Sequence, residues 1–162
     1  MKQRSRQWFR LSVALALAIA ILPGCKEKAS WTEYQHPGGR LTISFPTADT
    51  PTGDGTGHAL STVWNNITYT VSWVDIPDWS EEEYRRELES NARRQGTVNS
   101  SARVAHAGLD GMEFNISDAS GAAAFSRYLR KDNRVYVLRL EGPKLDPAAP
   151  APQQFLASFR AE

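Results

Sequence analysis

Cysteine is almost absent from this chain: Cys25 is the only one in 162 residues. No disulfide can form within one molecule, so the fold rests on packing. Histidine is nearly as scarce. His36, His58 and His106 offer no close pair and no H-E-x-x-H, which removes the usual zinc signatures. The G-x-S-x-G elbow of a serine hydrolase is missing. So are a P-loop and a G-x-G-x-x-G opening a helix, which leaves no cofactor motif. The calcium-loop spacing D-x-[DN]-x-[DN]-G is missing too. No apolar run reaches the ~20 residues that a membrane-spanning helix needs.

What is present begins at the amino terminus. Lys2, Arg4, Arg6 and Arg10 precede an apolar run from Leu11 to Leu22, and no acid interrupts them. A basic segment, a short apolar segment and a small residue describe a secretory leader. Ile21-Leu22-Pro23-Gly24-Cys25 resembles the lipobox of bacterial lipoprotein leaders. Leu22 stands three before the cysteine and Gly24 just before it. The resemblance implies cleavage after Gly24, a diacylglyceryl thioether on Cys25, and a lipid bilayer as the first partner. Two or more acyl chains anchor stably, at about 0.8 kcal/mol per buried methylene. The alternative is a leader cleaved nearby, with Cys25 left as a free thiol. An unpaired thiol is a liability in an oxidising compartment.

On this reading residues 1–24 are leader, 25–30 a lipidated tether and 31–162 one domain. The five residues Lys26 to Ser30 reach at most about 18 Å, so the domain is held close to its membrane in the cell envelope. Lys26, rather than an Asp, follows the cysteine. That favours the periplasmic face of the outer membrane where the source has one. The leader holds four of the 19 basic residues and none of the 18 acidic ones, so the remainder is net acidic by three. That is not the charge pattern of a nucleic-acid binder.

The domain alternates strands and helices. Leu41, Ile43 and Phe45 recur at period two and predict a strand, with Gly38-Gly39 turning into it from a short strand near Trp31–Gln35. Pro46 to His58 reads as a loop. Ala59–Trp64 and the strand carrying Ile67, Tyr69, Val71 and Trp73 form a hairpin about Asn65-Asn66. Ser80 and Glu83 form a capping box for a helix ending at Gln95-Gly96, with Tyr84, Leu88 and Ala92 on one face. Strands follow around Ala102–His106, Met112–Ile116, the less regular Phe125–Arg130, and Val135–Leu140. A Pro- and Ala-rich link, Pro143–Pro152, leads to a short terminal helix with Phe155, Leu156 and Phe159.

This order predicts an α+β domain: one antiparallel sheet of about six to eight strands, with a central and a C-terminal helix packed on it. It resembles the fold of PsbP, the extrinsic subunit of photosystem II, and of the related Ran-binding Mog family. The resemblance rests on Gly39-Arg40-Leu41-Thr42-Ile43-Ser44-Phe45-Pro46, on Val135-Tyr136-Val137-Leu138 running to Gly142-Pro143, and on Phe155-Leu156-Ala157-Ser158-Phe159-Arg160. It implies a shape and no activity. No metal-related residue of that subunit maps onto this chain.

Three places are candidate sites. Trp79 with Asp78, just before the helix cap, is either a hydrophobic staple onto Tyr84 or a partner-binding anchor. Asp49, Asp54 and His58 share the loop of residues 46–58 and are either a hard-cation or ligand site or a solvated loop. Asp75, Asp78 and Glu81 to Glu83 are either an acidic patch, a general acid–base pair, or the ordinary chemistry of a strand end and a capped helix. Trp73 and His106 read as core or half-buried. Two functions follow: a non-catalytic docking module for an envelope protein or component, and an envelope hydrolase or transferase using carboxylates or His58. The absence of a catalytic motif favours the first.

Overall fold

The computed structural model of the protein describes residues 29–47, 49–118 and 120–162. The predicted leader, with Gly24 and Cys25, lies outside the described residues. The elements are β1 (Thr32–His36), β2 (Leu41–Phe45), β3 (Thr52–Gly53), β4 (Ala59–Trp64), β5 (Ile67–Asp75), α1 (Glu81–Gln95), β6 (Thr97–His106), β7 (Leu109–Ser117), β8 (Ala123–Lys131), β9 (Arg134–Gly142), α2 (Pro150–Ser158) and β10 (Arg160–Ala161). The fold is α+β, as the pattern predicts. Its strands divide into two antiparallel sheets. One has seven strands in the order β3-β4-β5-β9-β8-β7-β6, and the other has three, β1-β2-β10.

Period-two patterning explains the first core. Leu41, Ile43 and Phe45 of β2 are fully buried, as are Tyr69 and Val71 of β5. They meet Leu138 and Leu140 of β9, and Phe155 and Leu156 of α2. The second core lies on the opposite face of the large sheet. There Tyr84, Leu88 and Ala92 of α1 cover Phe114, Ile116, Ala124, Tyr128 and Val135. Burying a side chain of this size contributes roughly 1.5–3 kcal/mol.

Local signals set the elements' ends. The Ser80 side chain caps the Glu83 backbone while Glu83 reaches back to Ser80, and three acids open α1 while Arg93 and Arg94 close it. Asn65 and Asn66 take φ of 51° and 60°, the left-handed pair that a two-residue hairpin with the sheet's twist requires. Other features were not evident from the pattern. The loop of residues 46–58 contains β3, and β6 starts directly after α1 with a register shift between Val98 and Ser100. The Pro- and Ala-rich link is shorter than expected, because α2 begins at Pro150. Among the described residues no helix is long and apolar enough to cross a membrane.

Gly111 sits in β7 between β6 and β8. A Cβ there would fall within contact distance of the Tyr128 carbonyl oxygen, and 3.0 Å from Leu129. The carbonyl is fixed by sheet pairing, so the strands must separate to admit a methyl group. Gly111→Ala is expected to destabilise the domain by roughly 1–3 kcal/mol, read as a lower urea midpoint at unchanged slope.

Candidate functional site

Three of the sequence's candidate acids, Asp75, Glu83 and Asp54, are engaged in local structure. Asp75 accepts two bonds from Arg134, at 2.6 Å from Nε and 2.9 Å from Nη2. The same guanidinium donates to the Gly38 carbonyl at 3.0 Å, so it fastens the β1–β2 turn to the large sheet. The Arg134 bond and charge hold the Asp75 carboxyl below its ordinary range. Glu83 is lowered by its bonds from Ser80. Asp54 accepts from the Thr56 hydroxyl at 2.6 Å and from its backbone N–H at 2.9 Å, which lowers it likewise.

The loop candidates do not converge. The Asp49 carbonyl accepts from the Tyr34 hydroxyl at 2.9 Å. His58 is exposed, its ring 6.2 Å from that of Trp73. Among the described residues no three His, Cys, Asp or Glu side chains form a group that would hold a metal ion. His106 is half-buried, its Nε2 3.0 Å from the Phe159 carbonyl. Trp73 is core. Trp79 is half-buried and packs against the cluster containing Tyr84, the contact a staple makes, while Asp78 is exposed beside it.

A concavity of about 610 Å³ lies under the start of α1. Its walls come from α1 (Glu81, Tyr84, Arg85), from the β6–β7 hairpin (Arg103, Asp110) and from the end of β8 (Arg130). Arg130 donates to the carbonyls of Asp132 (2.9 Å) and Trp79 (3.0 Å) and lies 5.3 Å over the Tyr84 ring. Backbone and ring therefore orient the guanidinium without a carboxylate. Arg103 is exposed on the edge strand, and among the described residues neither it nor Arg130 makes an ion pair. The Tyr84 hydroxyl is buried without a partner among the described residues, and desolvation raises its pKa, so it remains a phenol. Glu81, Asp110 and Asp132 share the lining with the arginines, and the basin offers a carbonyl or carboxylate one oriented cation, Arg130, and one exposed one, Arg103. Of the sequence's candidate site residues only Glu81 lines it, because its three arginines come from three elements and share no spacing.

No protein-family model matches the chain, and no curated protein matches it. Solved structures do. The chain is similar to cyanobacterial PsbP from Synechocystis sp. PCC 6803, at 11% identity and a TM-score of 0.58, over 90% of this chain and 99% of that one. It is also similar to a protein from Bacteroides thetaiotaomicron VPI-5482, at 16% identity and a TM-score of 0.52, over 80% of this chain and 48% of that one, about half its length. These likenesses establish a PsbP-like fold and nothing about activity.

His106 supplies a pH test. Burial is the largest influence on it and lowers its pKa below 6.5, against the raising effect of the Phe159 carbonyl. A depressed folded pKa means that this contribution to stability is complete above the unfolded value near 6.5 and is lost as pH falls through the folded one. The lowered carboxyls of Asp75 and Glu83 add a second loss below about pH 4, by the same sign. The urea midpoint is expected to fall from pH 7 to pH 5, and His106→Gln to flatten that window while leaving the acid limb in place.

Proposed function

We propose that the protein is a lipid-anchored, non-catalytic docking module of the bacterial cell envelope, and that the arginine-walled basin is its contact surface. The single observation that supports this is a pair of guanidiniums lining a concavity, Arg130 oriented by two carbonyls and Arg103 exposed, neither with an ion-pair partner among the described residues. Of the acids that acid–base chemistry would draw on, Asp75, Glu83 and Asp54 are engaged in a strand-end ion pair, a cap and a turn. The partner is a protein segment that brings carboxylates or chain carbonyls to the two cations.

The placement suits a tethered domain. β1 begins opposite Phe45, at the far end of its hairpin from the turn that Arg134 clasps. Arg134 follows the Asp132-Asn133 turn, and Asp132 lines the basin. A tether joined at Trp31 thus leaves the basin at the other end of the domain, open to the envelope space. Acylated Cys25 supplies the hold on the bilayer.

Two variants test the two parts. Cys25→Ser should move the protein into the soluble envelope fraction with its denaturation midpoint unchanged; a variant that stays in the membrane contradicts the anchor. Arg103→Glu, at an exposed position, should change stability by no more than about 0.5 kcal/mol yet abolish the crosslinked adducts that the tagged full chain forms in its own envelope. An unchanged adduct pattern contradicts the basin.

A further inference from the structure

β6 is the last strand of the seven-stranded sheet and pairs on one side only, with β7. Such an edge is a template for another strand unless proline, lysine or a bulge blunts it. β6 is ten residues long and has neither proline nor lysine. Its register shift lies between Val98 and Ser100, near one end, so Ser100–His106 is a regular edge. Every residue from Asn99 to Arg103 is exposed.

α1 carries a patterned stripe beside this edge. Glu81, Arg85, Glu89 and Arg93 recur every four residues and share one face of the helix. Glu81 and Arg85 line the basin with Arg103. Glu89 and Arg93 line a second concavity, of about 440 Å³, with Thr97, Val98 and Ser101. The stripe thus follows β6 in reverse, and its charges run minus, plus, minus, plus. A second stripe rotated by 180° about the midpoint sets Glu81 against Arg93 and Arg85 against Glu89. Every opposed pair is then of opposite sign, whereas a parallel copy in the same register would oppose like charges. Within one chain these groups are lightly engaged. Arg85 and Glu89 are 3.4 Å apart at the surface, and among the described residues Glu81 and Arg93 make no ion pair.

The strand edge calls for the same symmetry. Antiparallel pairing of two β6 strands about Ala102 joins Ser100–Val104 of each copy and leaves both register shifts outside. Ser101, which shares a concavity with Glu89, then lies opposite Arg103 of the other copy. α1 packs over β6 and β7. At about 4.8 Å per strand, the two α1 axes stand roughly 10–14 Å apart, a gap that arginine and glutamate side chains bridge. Sheet twist spreads the helix ends, so Arg85 with Glu89 is the closer pair. β1 belongs to the cover on the sheet face opposite α1. The two-fold axis passes through the sheet, so both tethers leave on the same side of the dimer, as attachment to one bilayer requires.

We propose, resting on the basin reading above, that the partner it receives is a second copy of this chain. The two copies join by antiparallel β6–β6 pairing about Ala102, and Glu89 of each brings its carboxylate to Arg85 and Arg103 of the other. The contact is isologous, the form that closes as a dimer. It also accounts for an acid in the basin's lining, since Glu81 answers Arg93 of the other copy.

The test uses the full chain carrying Cys25→Ser, which has no other thiol. Ala102→Cys then places a single thiol on the two-fold axis. Residues directly opposite in an antiparallel pair have Cα atoms about 4.5–5.5 Å apart, within disulfide range. Mild oxidation should link this variant into a dimer. Ala105→Cys, whose two copies would lie about 20 Å apart along the strands, should stay unlinked. In sedimentation equilibrium Arg85→Glu should weaken dimerisation about tenfold. Arg85→Glu combined with Glu89→Arg should restore it, because the exchanged pair is again complementary across the axis. Unchanged melting midpoints show that each variant is folded. A monomer at every concentration, a dimer in which Ala102→Cys stays unlinked, or an exchange that fails to rescue would overturn the second copy. A monomer whose envelope adducts are still abolished by Arg103→Glu leaves the basin to another protein. A monomer whose adducts are unchanged by Arg103→Glu overturns the basin as well.

Discussion

The β8–β9 hairpin is buried on both faces, and the rest of the architecture follows from that. Ala124, Phe125 and Ser126 are consecutive buried residues, as are Tyr128 with Leu129 and Val135 with Tyr136. A sheet whose central strands are apolar on both sides needs two covers. α1 supplies one, through Tyr84, Leu88 and Ala92. The three-stranded sheet and α2 supply the other, through Leu41, Ile43, Phe45, Phe155 and Leu156. The buried Ser126 is accommodated because Arg139 donates to its hydroxyl at 3.2 Å and also bonds Gln95 at the end of α1. One polar contact thus ties the helix to the sheet across an otherwise apolar layer.

The same constraint explains what could be read in the sequence. Elements with one buried face were legible: β2 and β5 by alternation, α1 by its capping box and its four-residue stripe. Phe125 to Arg130 looked irregular because a strand covered on both faces has no polar phase to alternate with. β3 and β10 have two residues each, too few to carry any period. The second sheet was invisible for a different reason. It is completed by Arg160↔Thr42 and Ala161↔Leu41, pairings between the two ends of the domain that no local pattern encodes.

Site residues divide along the same line. Residue types around the α1 start were visible, but their engagements were not. Ser80 and Thr56 are near neighbours of the acids they hold, whereas Arg134 reaches Asp75 only because β5 and β9 pair side by side. Arg85, Arg103 and Arg130 become neighbours through a helix, an edge strand and a strand end. Two concavities at different ends of the domain have opposed chemistries. The basin at the β6–β7 turn is lined by charged side chains, and the cleft between the β4–β5 hairpin and α2 is lined by none.

The most direct measurement of the docking claim is amide hydrogen exchange of the full chain in its own membranes, set against the purified protein in empty nanodiscs. A partner seated in the basin should slow exchange in the exposed edge of β6 from Arg103 to His106, in the Ala107-Gly108 turn and in the first turn of α1, and leave the Thr52–Gly53 edge unchanged. Equal exchange across the basin in both settings, or protection confined to the opposite edge, would contradict the account.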